Sequence, residues 1–417
     1  MIHPVRLRDV FTPGGLPLVT YVSRDHLELE KNLVEALARG FAFIVVTGPT
    51  KSGKSVLCRR VLQPNALVIV EGGQIRSEAD FWSHIAYQLR IASGATKMRG
   101  ETSATIATGE TSGGIAGILQ AKGALAQSDT EQSTSSLSFN NVLVLDAVEH
   151  LLQRNASLMV DDFHYIDPQT QRSIIQSLKG PVFKGLSVVL LAVPHRAFDP
   201  VAVENEVEGR FKHIAIPQWA LDDLILIPNQ GFPALNVEVE RSIQRRICED
   251  SFGNPLLVQE ICSEFCLKNN VAEFQNGART LDGKLLEPTY TAMAESKGFP
   301  TYQKLKRGPP GRRRQFRPVK GGGEEDIYTA ILASVARLGP KPTTTLEDIR
   351  ASLREIFAAD VPMPAKAEII SGLNNMSNIA KNKMPGEPPL EWVTDDQRLE
   401  ITDPFLLFCL KWSLRGQ

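Results

Sequence analysis

The sequence predicts an α/β fold built on a mostly parallel sheet, followed by a helical lid and a C-terminal winged helix. Three observations predict it. An apolar strand runs into the spacing G-x-x-x-x-G-K-[ST] at Gly48-Pro49-Thr50-Lys51-Ser52-Gly53-Lys54-Ser55. A second apolar run, Ser157-Leu158-Met159-Val160, ends on Asp161-Asp162. Strands and helices alternate through the first half of the chain, whereas the second half reads as helices closed by a short hairpin.

The glycine-rich run lies between the strand Phe41-Ala42-Phe43-Ile44-Val45-Val46 and a helical stretch Val56–Leu62, the context a Walker A loop requires. Two glycines let the backbone curl so that successive N–H groups point at a phosphate, and the helix N-terminus adds partial positive charge at the same spot. Lys54 would reach the β- and γ-phosphates and the Ser55 hydroxyl would hold Mg²⁺. Gly48 through Val56 are therefore the candidate ATP/ADP-binding residues. A Gly/Lys-rich surface turn is the plainer alternative, and the flanking strand and helix argue against it.

Asp161, at the carboxyl end of its short buried strand, is placed to contact the Mg²⁺ shell as a Walker B acid. Asp162 would orient or deprotonate the attacking water. Two aspartates after a strand also begin turns. The aspartate at 162, where fast motor ATPases carry the longer glutamate, points to slow turnover.

Composition sets the outer bounds. The chain has 417 residues, 42% of them hydrophobic and 22% charged, enough for two or three domains of an ordinary soluble protein. No apolar run approaches the roughly 18 residues of a membrane span, and Met1–Val10 lacks the hydrophobic stretch of a signal peptide, so a cytoplasmic location without membrane contact is expected. Five scattered cysteines suggest neither a disulfide framework nor a zinc site; Cys262 and Cys266 read as core packing on one helix face. A net charge of −1 gives no global attraction to nucleic acid, so any such contact would be local.

Further along, Ala66–Val70 is a strand, Glu78–Arg90 an amphipathic helix, Asn141–Gln153 another helix, Gln169–Leu178 a helix, Leu186–Ala192 an apolar strand and Phe211–Ile216 a short last strand. Leu186–Ala192 is a candidate for the extra strand that sits between the two Walker strands in one branch of these folds. The Gly/Ala/Ser/Thr-rich stretch 92–138 interrupts the pattern. Its composition fits a mobile insertion, while alternation at Thr102–Ile106 and Gly114–Gln120 fits an exposed hairpin or partner-binding arm; both readings stay open.

After Pro217 the character changes. Leu221–Ile227, Val237–Phe252 and Pro255–Asn269 read as lid helices. A basic Pro/Gly-rich span at 297–323 carries Lys304, Lys306, Arg307, Arg312, Arg313, Arg314, Arg317 and Lys320, either a solvated linker or an arm that contacts nucleic-acid phosphates. Helices at Ile327–Leu338, Thr345–Phe357 and Ala365–Ile379, a hairpin of Leu390–Val393 and Leu399–Ile401 and a closing helix Phe405–Trp412 describe a winged helix. The expected organisation is a P-loop domain at 1–218, a lid at 219–296, a basic linker at 297–325 and a winged helix at 326–417.

In this order the elements resemble the STAND class of signalling ATPases and the related origin-recognition AAA+ ATPases. Tyr21-Val22-Ser23-Arg24-Asp25 is similar to the (F/Y)-V-G-R-(E/D) element of that group, which implies that the backbone at Val22 and the side chain of Arg24 line the adenine site. Gly253-Asn254-Pro255-Leu256-Leu257 is similar to the lid motif whose proline, here Pro255, packs on the base. Val193-Pro194-His195-Arg196 occupies the sensor 1 position, implying that Arg196 contacts the γ-phosphate, and Arg210 lies near where an AAA+ arginine finger would act in trans. Ser23 departs from the family glycine, and no repeat array follows the winged helix, so a sensor is expected on another protein or in the insertion. From the residues alone, Arg24 would equally pair with Asp25 or Glu28, and Pro255 would equally serve as a helix-starting proline.

The sequence thus points to a slow ATPase, using ATP/ADP and Mg²⁺, that works as a nucleotide-dependent switch, self-associating when ATP-bound and controlling an effector protein. The alternative is a DNA-binding AAA+ loader that uses the winged helix and Lys304–Lys320 on duplex DNA.

Overall fold

A computed structural model describes residues 5–62, 66–91, 143–193, 210–311, 314–384 and 388–413. The insertion 92–138, Arg196, Arg312 and Arg313 lie outside the described residues. The chain forms two compact units, one of Glu28–Gly48 and Leu57–Ile216, the other of Met1–Leu27, Pro49–Val56 and Pro217–Gln417.

The first unit is built on a sheet of β1 (Phe43–Thr47), β2 (Leu67–Glu71), β3 (Ser157–Asp161), β4 (Ser187–Ala192) and β5 (Phe211–Ala215), in the order β2-β3-β4-β1-β5. All four neighbouring pairs are parallel. β4 lies between β3 and β1, the place the sequence suggested for Leu186–Ala192. Every residue of β1 is buried, as a continuous Phe-Ile-Val-Val run in a parallel sheet must be. Phe81, Trp82 and Ile85 of the helix Glu78–Leu89, and Ile174 and Leu178 of the helix Pro168–Phe183, pack with Val68, Leu158 and Val188 in one core. Both helices start on sequence signals: Ser77 accepts from the Asp80 N–H, and Asp167 caps a helix with Pro168 in its first turn.

The second unit holds two cores. In one, Leu7, Val10, Phe11 and Val22 of the N-terminal segment pack with Phe232, Ile247, Leu257 and Ile261 and with Phe408 and Trp412 of the closing helix Pro404–Trp412. In the other, Ile331, Leu353, Leu373 and Met376 pack with Leu390 and Leu399 of the wing. These come from the helices Ile327–Arg337, Leu346–Ile356 and Lys366–Lys383, which with the closing helix make the expected winged helix.

Several expectations need correction. The span Val237–Phe252 is not one helix. β6 (Val237–Glu238) pairs in parallel with β7 (Arg279–Thr280), and the helix runs only over Arg241–Glu249. The basic span is not featureless. It carries the helix Phe299–Lys306, with Tyr302 and Leu305 buried, and a small antiparallel pair of β8 (Arg317–Pro318) and β9 (Glu324–Glu325). The wing gains an unforeseen third strand, β10 (Thr343–Thr345), paired with β12 (Arg398–Ile401), which in turn pairs with β11 (Leu390–Val393). Among the described residues no helix is long and apolar enough to cross a membrane. All five cysteines are free and buried, and burial pushes the Cys266 thiol up to about 12.

Candidate functional site

The glycine-rich loop has the backbone its spacing demands. Lys51 and Gly53 both take left-handed conformations (φ 58° and 93°), and the Ser52 N–H donates to the Pro49 carbonyl at 3.2 Å. Apart from its two chain neighbours, no atom of the described residues lies within 4 Å of where a Gly53 Cβ would stand, so the backbone conformation, not crowding, calls for glycine there. Lys54 opens the helix Lys54–Val61; it is buried, and its ammonium donates to the Pro49 carbonyl at 3.0 Å. Ser52 is buried too, and its hydroxyl has no hydrogen-bond partner among the described residues. A buried ammonium, an orphaned hydroxyl and an open glycine fit a polyanion such as a nucleotide phosphate.

The same unit grips this loop from outside with side chains far away in sequence. The Trp219 indole N–H donates to the Ser52 carbonyl at 2.8 Å, and the Asn254 amide donates to the Thr50 carbonyl at 3.3 Å. The Lys51 ammonium pairs with Asp403 at 2.8 Å and sits 5.0 Å from the centre of the Phe405 ring. Asp403 also caps the closing helix by accepting from the Phe405 N–H at 3.2 Å. Asn254 likewise caps the helix Pro255–Lys268, accepting from the N–H groups of Leu256 and Leu257, with Pro255 in its first turn. Sequence reasoning singled out Asn254 only as part of a motif and missed Trp219 and Asp403 altogether.

Arg24 is buried at φ 52°, donates to the Pro217 carbonyl at 3.2 Å and stacks its guanidinium 4.2 Å from the centre of the Trp219 ring. It therefore pairs with neither Asp25 nor Glu28, and burial lowers its pKa against the opposing charge of Asp223. The Val22 side chain lies in the core beside the lid helices.

In the other unit, Gly48 follows β1 and Asp161 ends β3. Asp161 accepts from the Asp162 N–H at 3.0 Å, and Asp162 turns the chain with φ 53°. Two residues at the end of β2 were not foreseen. Glu71 stands in register with Asp161; burial and the Asp161 charge raise its pKa, while Arg59, 3.9 Å away, lowers it. Gly72 lies so close to the Asp162 carbonyl that no Cβ fits. Only the pairing of β2 with β3 reveals either contact. Arg210 precedes β5 and stacks 4.0 Å from the centre of the Phe183 ring in its own chain. Beside β1, the Thr47 hydroxyl bonds His213 at 2.7 Å, and burial lowers the imidazole pKa.

Three of the basic residues of the span have partners within the chain, whereas Lys304 and Arg307 are exposed. Arg317 is buried and forms a bidentate pair with Glu368, both contacts at 2.8 Å. Arg314 pairs with Asp326 at 2.8 Å, and Lys320 bonds the Arg354 carbonyl at 3.1 Å.

The chain is similar to a solved Walker-type ATPase of Pyrococcus abyssi, at 15% identity and a TM-score of 0.53 over 98% of this chain and 99% of that one. It also aligns with Cdc6p of Pyrobaculum aerophilum (14% identity, TM-score 0.46, 99% and 100% covered) and with the Aeropyrum pernix ORC2 protein (12%, 0.49, 96% and 96%). No family profile and no curated protein matches the chain. The likeness is one of fold: an α/β P-loop NTPase with a parallel sheet, a helical lid and a C-terminal winged helix.

Proposed function

We propose that this chain binds ATP with Mg²⁺, hydrolyses it slowly, and transmits its nucleotide state to the winged helix. The observation that carries the proposal is the ion pair between Lys51 of the phosphate loop and Asp403 at the head of the winged-helix closing helix. A triphosphate entering the loop would draw Lys51 away and repel Asp403, so nucleotide and winged helix compete for one ammonium. Gly48–Ser55 would hold the phosphates, with Lys54 as the main cation. Ser55 and Asp161 would hold Mg²⁺, and Asp162 would orient water. Mg²⁺ would supply charge neutralisation at the phosphates.

Duplex DNA is the output favoured by a specific surface. On the helix Lys366–Lys383 the exposed residues Lys366, Ala367, Ser371, Asn378, Lys381, Asn382 and Lys383 are mostly polar or basic and include no carboxylate. Such side chains suit base edges and phosphates in a major groove. Arg314, Arg317 and Lys320 have internal partners, whereas Lys304 and Arg307 are exposed, so the reading draws on this helix and on those two residues of the Lys304–Lys320 cluster. A second output, self-association and control of an effector, rests on the STAND-like motifs at Tyr21–Asp25 and Gly253–Leu257 and on Arg196 as γ-phosphate sensor.

Lys54→Ala tests the nucleotide site. It should abolish the ATP-induced melting shift, which for the wild type at about 100-fold over Kd corresponds to roughly 2.7 kcal/mol. An undiminished shift in the variant would refute the site. Duplex retention that falls steeply with salt and differs between ATP and ADP would favour DNA as the output; growth in size with ATP in the absence of DNA retention would favour the effector switch.

A further inference from the structure

Trp219 stands outside every motif in the chain, yet its indole N–H reaches the main chain of the phosphate loop. We infer that Trp219, with Asn254 as its companion, is a positioning residue that sets the peptide planes of the phosphate-binding loop. The inference rests on the nucleotide site proposed above and deepens it.

The described residues contain no cis peptide bond, and in a trans peptide the C=O and the following N–H point in opposite directions. The Trp219 indole holds the Ser52 carbonyl at 2.8 Å, so the Gly53 N–H is turned away from Trp219. Asn254 holds the Thr50 carbonyl at 3.3 Å and turns the Lys51 N–H in the same manner. These planes flank the two left-handed residues, Lys51 and Gly53, where the loop has the greatest freedom to flip. Fixing the outward carbonyls therefore presets the inward amides before any phosphate arrives, which lowers the ordering cost of binding. Trp219 is itself fixed, because the buried Arg24 stacks on its ring and bonds the Pro217 carbonyl two residues earlier. Asn254 is fixed by its cap of the helix Pro255–Lys268.

The role differs from that of a base contact, and pyrophosphate separates the two because it has phosphates and no base. Trp219→Phe keeps a ring beneath Arg24 and removes the N–H donor. Asn254→Ser keeps a cap and removes the amide donor. Binding of ADP and of inorganic pyrophosphate to the full chain would be measured by calorimetry, alongside the melting temperature without ligand. Each variant should lose affinity for ADP and for pyrophosphate by the same factor, about three- to tenfold, the worth of one hydrogen bond. The ligand-free melting temperature should move little. Loss of ADP affinity with pyrophosphate unchanged would make Trp219 a base contact and overturn the inference. Unchanged affinity for both ligands in Trp219→Phe would overturn it as well. Wild-type protein that binds neither ligand would instead remove the nucleotide site itself, and this inference with it.

Discussion

Lys51 of the glycine-rich loop and Asp403 of the closing helix form an ion pair at 2.8 Å across 352 residues of sequence. The partners are partly buried, at 33% and 18% side-chain exposure, and the Phe405 ring lies beneath the ammonium. Asp403→Asn removes the charge and keeps a good helix cap, so the stability lost should be no more than the ion pair's worth, about 1 kcal/mol. With the competing carboxylate neutralised, ATP affinity should rise, by up to about fivefold if the pair is worth 1 kcal/mol. Titration calorimetry checks this, and an unchanged or weakened affinity would count against competition for Lys51.

The two acids after β3 should separate in kinetics. Asp162→Asn is compatible with the left-handed backbone at that position and should leave ATP bound while slowing turnover. Asp161→Asn should weaken Mg²⁺-dependent binding as well. Single-turnover hydrolysis together with Mg²⁺ titration tells them apart; identical profiles would mean the roles are misassigned.

Gly72 fixes Asp162 by leaving room for its carbonyl. A methyl group there must push the Asp162 turn aside, at a cost of about 1–3 kcal/mol. Gly72→Ala should therefore lower the melting temperature and reduce kcat while ATP affinity is largely kept. A variant with wild-type turnover would show that the position of Asp162 is not critical.

Glu71 gives a pH signature. Its pKa is raised in the folded protein by burial and by Asp161, so the folded state prefers the neutral acid and ionisation costs stability above that pKa. The penalty is absent below the unfolded value and grows as pH rises through the folded one. Glu71→Gln should consequently raise the melting temperature at neutral pH, with the gain shrinking as pH falls through the carboxylate range. A gain that is constant with pH would point to packing instead of charge.

The sequence made the sheet legible because its signals are local. Apolar runs marked β1, β3 and β4, and the Gly48–Ser55 spacing marked the loop between strand and helix. The contacts that surround the loop were not legible. Trp219, Asn254 and Asp403 lie 167, 204 and 352 residues from their partners, and no periodicity connects them. The approach of Glu71 and Gly72 to Asp161 and Asp162 depends on the register of β2 against β3, which one strand's sequence does not encode. The internal partners within the Lys304–Lys320 span were hidden for a related reason. Charge is visible in sequence, whereas the Glu368 that consumes Arg317 sits on a later helix.

The central claim is that nucleotide state reaches the winged helix. Hydrogen exchange of the full chain, followed at the start of the closing helix Pro404–Trp412 with Mg²⁺-ATP, with Mg²⁺-ADP and without nucleotide, tests it most directly, because the Phe405 amide donates to Asp403. The account predicts faster exchange at that amide with ATP than with ADP or alone, and a smaller difference in Asp403→Asn. Identical exchange in all three conditions, at ATP concentrations that visibly shift the melting temperature, would contradict it.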